Sequence, residues 1–404
     1  MRHLSSLLNR FTRSLSVNKG KSLGDPCDGR DAVSEQVKEA KTNGMILCSS
    51  GTMNVEGNEN FASVFSKRGQ KGVNQDCCVV WKEFGCQNDM MLCGVFDGHG
   101  PWDHYVAKRL REMLPSVLLH SWQETLAKAS VDCNLHLEVL ENQQLFNVWK
   151  SSYVKACATV DNDLGRHRKI GSFNSGTTAL TMVRQGEYIY LANVGDSRAV
   201  LATTSDDGRL VPIQLTIDFK PNLSEEAERI TLCNGRVFCL HDEPGVHRVW
   251  LPHNEFPGLA MSRAFGDFCI KNYGLISIPE VTQRRITDRD EFILLATDGV
   301  WDVLTNQEAV EIVSSSTDKA RSAKRLVEYA ARPWKRKRRG AAADDISAVC
   351  LFFHTSQLSY GTNPDYYCHC HHQNIYGKTD QIGNAAGGMR RESVMVLGLC
   401  NLQM

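Results

Sequence analysis

No stretch of the 404-residue chain approaches the roughly 18 consecutive apolar residues of a bilayer-crossing helix, and no compact apolar block follows the N-terminal charges as a secretory signal would. The sequence therefore predicts a protein that does not span a membrane. Excess charge of either sign is missing too. Lys plus Arg and Asp plus Glu stand at 46 each, so no global field draws the chain to nucleic acid or to an anionic membrane. The 15 cysteines lack the regular spacing of a small disulfide scaffold, and Cys93, Cys157 and Cys350 lie inside apolar runs. Reduced thiols packed as small hydrophobes in an intracellular protein are expected.

What is present is enough apolar sequence, 42% against 23% charged, to bury one large core or two small ones. Residues 1–60 read as a basic arm followed by a polar linker, without regular structure. The arm carries Arg2, Arg10, Arg13, Lys19 and Lys21 and no acidic residue before Asp25, a composition shared by transit peptides and by disordered basic arms. Residues 61–354 read as the folded domain. Residues 355–404 read as a disordered tail whose Cys368, His369, Cys370, His371 and His372 are too crowded for a standard structural zinc site. The run Lys335 to Arg339 is expected in an exposed loop, with a nuclear-import signal as the alternative.

Within the folded part, apolar runs at Met90 to Phe96, Tyr188 to Val194 and Phe292 to Thr297 end in Asp97-Gly98, Gly195-Asp196 and Asp298-Gly299, while Asp344-Asp345 precedes the run Ala348 to Phe353. Acidic residues thus recur at strand ends. Val106, Leu110, Met113, Leu114, Val117 and Leu118 have helical spacing, a second helix spans roughly Leu145 to Leu164, and a short one is expected with Ser224 as N-cap and Gly235 past its end. With Asp207-Gly208 as a hairpin turn, the pattern is α+β: a mostly antiparallel sheet system flanked by helices.

A single Asp-Gly pair is more often a hairpin turn than a site. Four strand-end aspartates far apart in sequence, Asp97, Asp196, Asp298 and Asp344, are different, because if the fold gathers them they repel unless cations neutralise them. Carboxylates on tight turns suit a hard divalent ion, Mg²⁺ or Mn²⁺, and Gly98 or Gly299 could turn a carbonyl toward it. Two such ions lower the pKa of water and clamp a phosphoryl group for in-line attack, so no protein nucleophile is needed. His99 is placed to protonate a departing oxygen, against the plainer reading of a histidine filling a turn. Lys71 could bind phosphate oxygens, against the plainer reading of a solvated lysine.

At this point the chain resembles the type 2C metal-dependent Ser/Thr protein phosphatases, most closely their plant members. The resemblance rests on Lys71-Gly72-Val73-Asn74-Gln75-Asp76, Val95 to Gly100, Ser175-Gly176-Thr177-Thr178-Ala179, Asn193 to Arg198, Leu215-Thr216 through Lys220-Pro221, Leu259 to Asp267, Ala296 to Asp302 and Asp344-Asp345-Ile346-Ser347. They occur in the family's order over about residues 61 to 354. The resemblance implies a β-sandwich of two antiparallel sheets with helices on both sides and a metal centre at one end. It implies two Mg²⁺ or Mn²⁺ ions, with Asp97 bridging, Gly98 giving its carbonyl, and Asp298 and Asp344 completing the ligand set. It also implies that Asp76 orients water, that His99 is the general acid, and that Asp196 and Asp302 hold a weaker third ion.

Gln75 stands where many members have glutamate and is read as a water contact beside the ligands. Lys71 replaces a phosphate-binding arginine, keeping the charge but losing the fork. Asp345 replaces the usual asparagine, so Asp344 and Asp345 could exchange roles. Arg2 replaces the glycine that a myristoylated relative would carry, so no stable membrane anchor is expected. The expected substrates are phosphoserine and phosphothreonine proteins, the expected state a monomer in cytoplasm or nucleus, organellar if the arm is a transit peptide. A non-catalytic protein that binds phosphoproteins or blocks a protein kinase is the alternative. A cysteine-based phosphatase is excluded, because no Cys-x5-Arg spacing occurs in the chain.

Overall fold

The computed structural model describes residues 45–48, 51–55, 61–132, 142–167, 170–337 and 342–353. The basic arm, the Cys/His tail, and Arg338 and Arg339 of the basic run lie outside the described residues.

In chain order the first strands are Met45–Cys48 (β1), Gly51–Val55 (β2), Phe61–Lys67 (β3), Cys77–Lys82 (β4), Met90–Phe96 (β5), Gly98–His99 (β6), Gly176–Thr177 (β7), Ala179–Gln185 (β8) and Tyr188–Val194 (β9). They continue as Arg198–Thr204 (β10), Leu210–Gln214 (β11), Arg236–Cys239 (β12), His247–Trp250 (β13), Pro257–Leu259 (β14), Phe265–Gly266 (β15), Glu280–Arg285 (β16), Asp290–Ala296 (β17) and Ile346–Phe352 (β18). The helices longer than two turns are Asp103–Asp132 (α1), Asn142–Arg166 (α2), Ser224–Leu232 (α3), Asn306–Ser314 (α4) and Ser322–Lys337 (α5).

Two six-stranded antiparallel sheets, ordered β1-β4-β5-β8-β9-β16 and β11-β10-β17-β18-β3-β2, form the expected sandwich. Side-chain alternation explains the layering. Cys78, Val80, Met91, Cys93, Val95, Leu180, Met182, Ile189 and Leu191 of the first sheet share one core with Ala62, Val64, Ala199, Leu201, Ile293, Leu295, Val349 and Leu351 of the second. The alternate residues Cys77, Val79, Trp81, Met90, Leu92 and Phe96 face outward under α1 and α2. Those of the second sheet, including Val200, Leu294, Ala348 and Cys350, lie under α4 and α5. Central strands are thus buried on both faces, which is why Met90 to Phe96 reads as an unbroken apolar run.

Both long helices follow the apolar spacing. Val106, Leu110, Met113, Leu114, Val117 and Leu118 are buried on α1, and Trp149 of α2 stacks on Trp122 and Tyr190 at ring-centroid distances of 5.3 and 5.5 Å. Cys77, Cys93, Cys157 and Cys350 are buried free thiols, and burial pushes Cys77, Cys93 and Cys350 up to about 12.

Three expectations are corrected. Among the described residues regular structure begins at Met45 instead of near Phe61: β1 pairs with β4 and β2 with β3 in full antiparallel register. The polar Gly/Asn/Ser composition around them disguised two edge strands, of which β2 forms a hairpin with the next strand, β3, and β1 pairs with the later β4. Ser224 is the first residue of α3, and its N-cap is Leu223. The other end closes at Asn234 (φ 61°), with Gly235 N–H donating to the Ile230 carbonyl at 2.9 Å. Finally, Lys335 to Lys337 belong to the last turn of α5 and not to a loop.

Candidate metal centre

The ladder registers gather the acidic turns at one end of the sandwich. Cys77 pairs with Phe96, Val95 with Leu180 and Ala179 with Val194, which places Asp76, Asp97, Thr178 and Asp196 at one edge of the first sheet. In the second sheet Arg198 pairs with Ala296, Ala296 with Ala348 and Ile346 with Lys67, so Asp298, Asp344, Asp345 and the loop 69–75 lie at the corresponding edge. A small ladder, β15-β7-β6, adds the third motif by pairing His99 with Gly176 and Gly176 with Gly266.

Local hydrogen bonds fix each turn. The Asp97 carbonyl accepts from Thr178 N at 2.8 Å and from Thr177 Oγ1 at 2.9 Å, while Asp97 N donates to Thr178 Oγ1 at 3.1 Å. Glycine is required where backbones meet: a Cβ on Gly98 would lie 2.8 Å from the Asp103 carbonyl oxygen, and one on Gly176 2.0 Å from Asp267 Oδ2. The Gly299 carbonyl, a suggested metal contact, instead accepts from Trp334 Nε1 at 2.7 Å.

The gathered carboxylates repel. Burial, then Asp76, Asp298, Asp344 and Asp196, push the Asp97 carboxyl well above its ordinary range. Burial, then Asp196, Asp344 and Asp302, push Asp298 up to about 8, with Lys220 opposing. Asp76, 2% exposed, is raised by burial first and then by Asp345 and Asp344, against hydrogen bonds from Ser347 and Thr297. Two lysines answer part of this charge. Lys71 Nζ lies 2.6 Å from Asp344 Oδ2, and Lys220 Nζ lies 2.5 Å from Asp196 Oδ2.

Asp76 Oδ1, Asp196 Oδ1 and Asp298 Oδ1 are buried without a hydrogen-bond partner, a costly state that a cation would relieve. Among the described residues no three Asp, Glu, His or Cys side chains already converge as a ligand cage. The donor chemistry nevertheless fits: oxygen ligands only, as Mg²⁺ and Mn²⁺ prefer. Asp302 is exposed at the rim but adds to the field on Asp298 and Lys220.

The remaining predicted residues fall as follows. His99 Nε2 lies 2.6 Å from Asp267 Oδ2. Burial pulls the His99 pKa down, but Asp267, and beyond it Asp196 and Asp103, raise it overall. Gln75 Nε2 donates to the Asp103 carboxylate in the first turn of α1. Both oxygens of Asp345 are taken by backbone: its Oδ1 accepts from Gly69 N and its Oδ2 from Gln75 N, both at 2.6 Å. That leaves Asp344, in the field of Lys71, Asp97 and Asp298, as the residue turned to the cluster.

Sequence reasoning gave no role to Lys220 or Asp267, although both lie in quoted motifs. Asp267, fully buried with φ 51°, follows Gly266 as Asp196 follows Gly195, and that repeat was the available signal. The segment Asp242 to Gly258 forms a hairpin in the sheet β12-β13-β14. Trp250 is buried against Phe238 at 5.1 Å and is not offered to a partner.

A family model described as Protein phosphatase 2C matches residues 66–338. Probable protein phosphatase 2C 73 of Arabidopsis thaliana is 62% identical over 358 residues, covering 88% of this chain and 96% of its own. Probable protein phosphatase 2C 48 of Oryza sativa subsp. japonica is 56% identical, covering 88% and 99%. The solved structure of serine-threonine phosphatase 2C from Toxoplasma gondii is similar with a TM-score of 0.66 at 25% identity, covering 75% of this chain and 99% of that one.

Proposed function

The chain belongs to the protein phosphatase 2C family, with similar plant members, and is a protein serine/threonine phosphatase; from that premise we propose that it hydrolyses phosphoserine and phosphothreonine directly with water at a two-metal centre. The observation that carries this reading is the set of buried, partnerless oxygens on Asp76, Asp196 and Asp298 inside a group of mutually repelling carboxylates.

In this reading Asp97, Gly98, Asp298 and Asp344 hold two ions, and Asp196 and Asp302 a weaker third. Mg²⁺ or Mn²⁺ there supplies Lewis acidity, neutralising the carboxylates and making water a nucleophile near neutral pH. The protein's own groups do the rest. Lys71 extends an ammonium from an exposed loop toward phosphate oxygens, its charge favoured by Asp344, Asp298 and Asp97 against burial. Asp76, anchored through Oδ2 to Thr297 Oγ1 at 2.9 Å, orients water with its other oxygen. Gln75 holds the loop to α1 through Asp103. His99, aimed by Asp267 and with its protonated form favoured by that carboxylate against burial, gives its proton to the departing seryl or threonyl oxygen.

Phosphorylated proteins are the substrates, and we assign the enzyme a signalling role opposing protein kinases, as a monomer of cytoplasm or nucleus. Among the described residues no helix is long and apolar enough to cross a membrane. The test is hydrolysis of a phosphothreonine peptide with Mn²⁺, with EDTA, and by Asp97→Asn. Loss of about a thousandfold or more is expected in the last two, since the central ligand acts on every step. Undiminished turnover by Asp97→Asn would sink the two-metal reading.

A further inference from the structure

We propose that Trp102, Tyr105 and Phe173 form a docking surface for the segment of a protein substrate that flanks the phosphorylated residue, and that this surface favours bulky apolar side chains there. The proposal rests on the reading of the metal centre given above and adds the substrate class.

Exposed rings scattered singly over a surface need no explanation, but three on two adjoining loops beside a reaction centre do. Four aromatic side chains stand among the large exposed hydrophobics of the described residues, and three of them are here: Trp102 at 45%, Tyr105 at 51% and Phe173 at 66% exposure. The ring centroids of Trp102 and Tyr105 are 5.7 Å apart, and the His104 ring lies 4.0 Å from Tyr105.

Their position follows from the small ladder. His99 pairs with Gly176; Trp102 follows His99 by three residues, and Phe173 precedes Gly176 by three. The two loops are laced together. Trp102 N donates to Ser175 Oγ at 2.9 Å, and a Cβ on Gly100 would lie 2.5 Å from the Asn174 carbonyl oxygen. A Cβ on Gly171 would lie 2.3 Å from Trp102 Cδ1, so glycine leaves room for the indole. The backbone beneath the rings is fixed as well. The Trp102 carbonyl accepts from Tyr105 N and Val106 N at 3.1 Å each, and the Phe173 carbonyl accepts from Cys269 N at 2.8 Å.

Rigid rings on a fixed backbone bind with little loss of conformational entropy. The occupant is set by continuity with the centre. Three residues of extended chain span roughly 10 Å, so a peptide with its phosphoryl group at the His99 turn lays the residues within about three positions of the phosphorylated one over these rings. An apolar side chain there covers the patch, whereas a serine leaves it wet.

The test uses the full chain with Mn²⁺ and two phosphothreonine peptides differing only in Leu and Phe against Ser at the flanking positions. Wild type is expected to favour the apolar peptide by about tenfold or more in kcat/KM. In Trp102→Ala/Phe173→Ser that ratio should fall toward one, while p-nitrophenyl phosphate, too small to reach the rings, reports the state of the centre. Phe173→Ala alone, at a side chain two-thirds exposed, should lower the ratio without threatening the fold. Equal wild-type rates on both peptides would overturn the docking surface. So would a variant that keeps its peptide ratio but loses self-association in sedimentation, because the rings would then cover a second copy. Turnover of p-nitrophenyl phosphate without peptide preference removes the docking surface alone; no turnover removes the metal-centre reading with it.

Discussion

Asp298→Asn should make the metal-free protein more stable even though it removes a proposed metal ligand. In the unfolded chain this carboxyl ionises near the ordinary 3.8, and in the fold burial with Asp196, Asp344 and Asp302 moves it to about 8. Between those values the folded protein keeps a proton that the unfolded chain has released, so stability falls as pH rises, by about 1.4 kcal/mol per pH unit. The loss is absent below about pH 4 and complete above about pH 8. At pH 7 it is on the order of 4 kcal/mol, a large share of the roughly 5–15 kcal/mol that holds a typical domain. Asparagine has the same size and no charge, so thermal denaturation in EDTA at pH 7 should shift upward by roughly 8 °C, at the low end of about 2–4 °C per kcal/mol because the domain is larger than about 150–250 residues. The raised carboxyls of Asp76 and Asp97 act in the same direction. Glu226 has the opposite sign: its carboxyl is held at about 2 against burial by Arg229, Arg263 and Ser262, so its contribution is lost only as pH falls below about 4.5. Mn²⁺ should stabilise wild type more than the variant. A metal-free wild type as stable at pH 8 as at pH 5, or a variant that melts earlier in EDTA, would refute the reasoning.

Two further outcomes concern the proton and the phosphate. His99→Gln should lower kcat on a phosphothreonine peptide by about 10²–10⁴-fold but cost far less on p-nitrophenyl phosphate, whose leaving group departs without a proton; equal losses on both would remove the general-acid role. Lys71→Met should raise KM for the peptide by about tenfold or more, and Lys71→Arg should recover or improve on wild type because its fork grips phosphate with two bonds; a drop in kcat at constant KM would contradict a binding role.

The legible parts of the fold were those whose signals are local. Apolar spacing marked α1 and α2, and Asp207-Gly208 marked the turn between β10 and β11, where Gly208 has φ 78°. The edge strands β1 and β2 were not legible. What holds each is a register against another strand, Met45 to Trp81 and Gly51 to Ser66, and a run of four or five residues within a Gly/Asn/Ser-rich stretch carries no mark of such pairing. Much the same holds for the site. Asp97, Asp298 and Asp344 were visible because each ends or starts an apolar run, while Lys220 and Asp103 act through partners 24 and 28 positions away that periodicity cannot reveal.

The two substitutions that looked like separate departures, Asp345 for asparagine and Lys71 for arginine, belong to one corner of the structure. Both oxygens of Asp345 accept backbone N–H groups, from Gly69 and from Gln75, and these residues bracket Lys71. An asparagine has one acceptor oxygen, and its amide would face the second N–H, leaving a buried donor unpaired at a cost of about 1–3 kcal/mol. The loop is also pressed onto 343–345, where Gln70 N donates to the Ala343 carbonyl at 2.8 Å and Gly69 has no room for a Cβ. The additional negative charge adds to the repulsion on Asp76, and burial raises the Asp345 carboxyl overall against the Gln75 and Gly69 N–H groups and, more weakly, Lys71. A lysine on an open loop would spend most conformations in solvent. Held at two points by Asp345, the loop instead presents its ammonium to Asp344 and the cluster behind it, so the carboxylate that takes no part in the chemistry positions the cation that does.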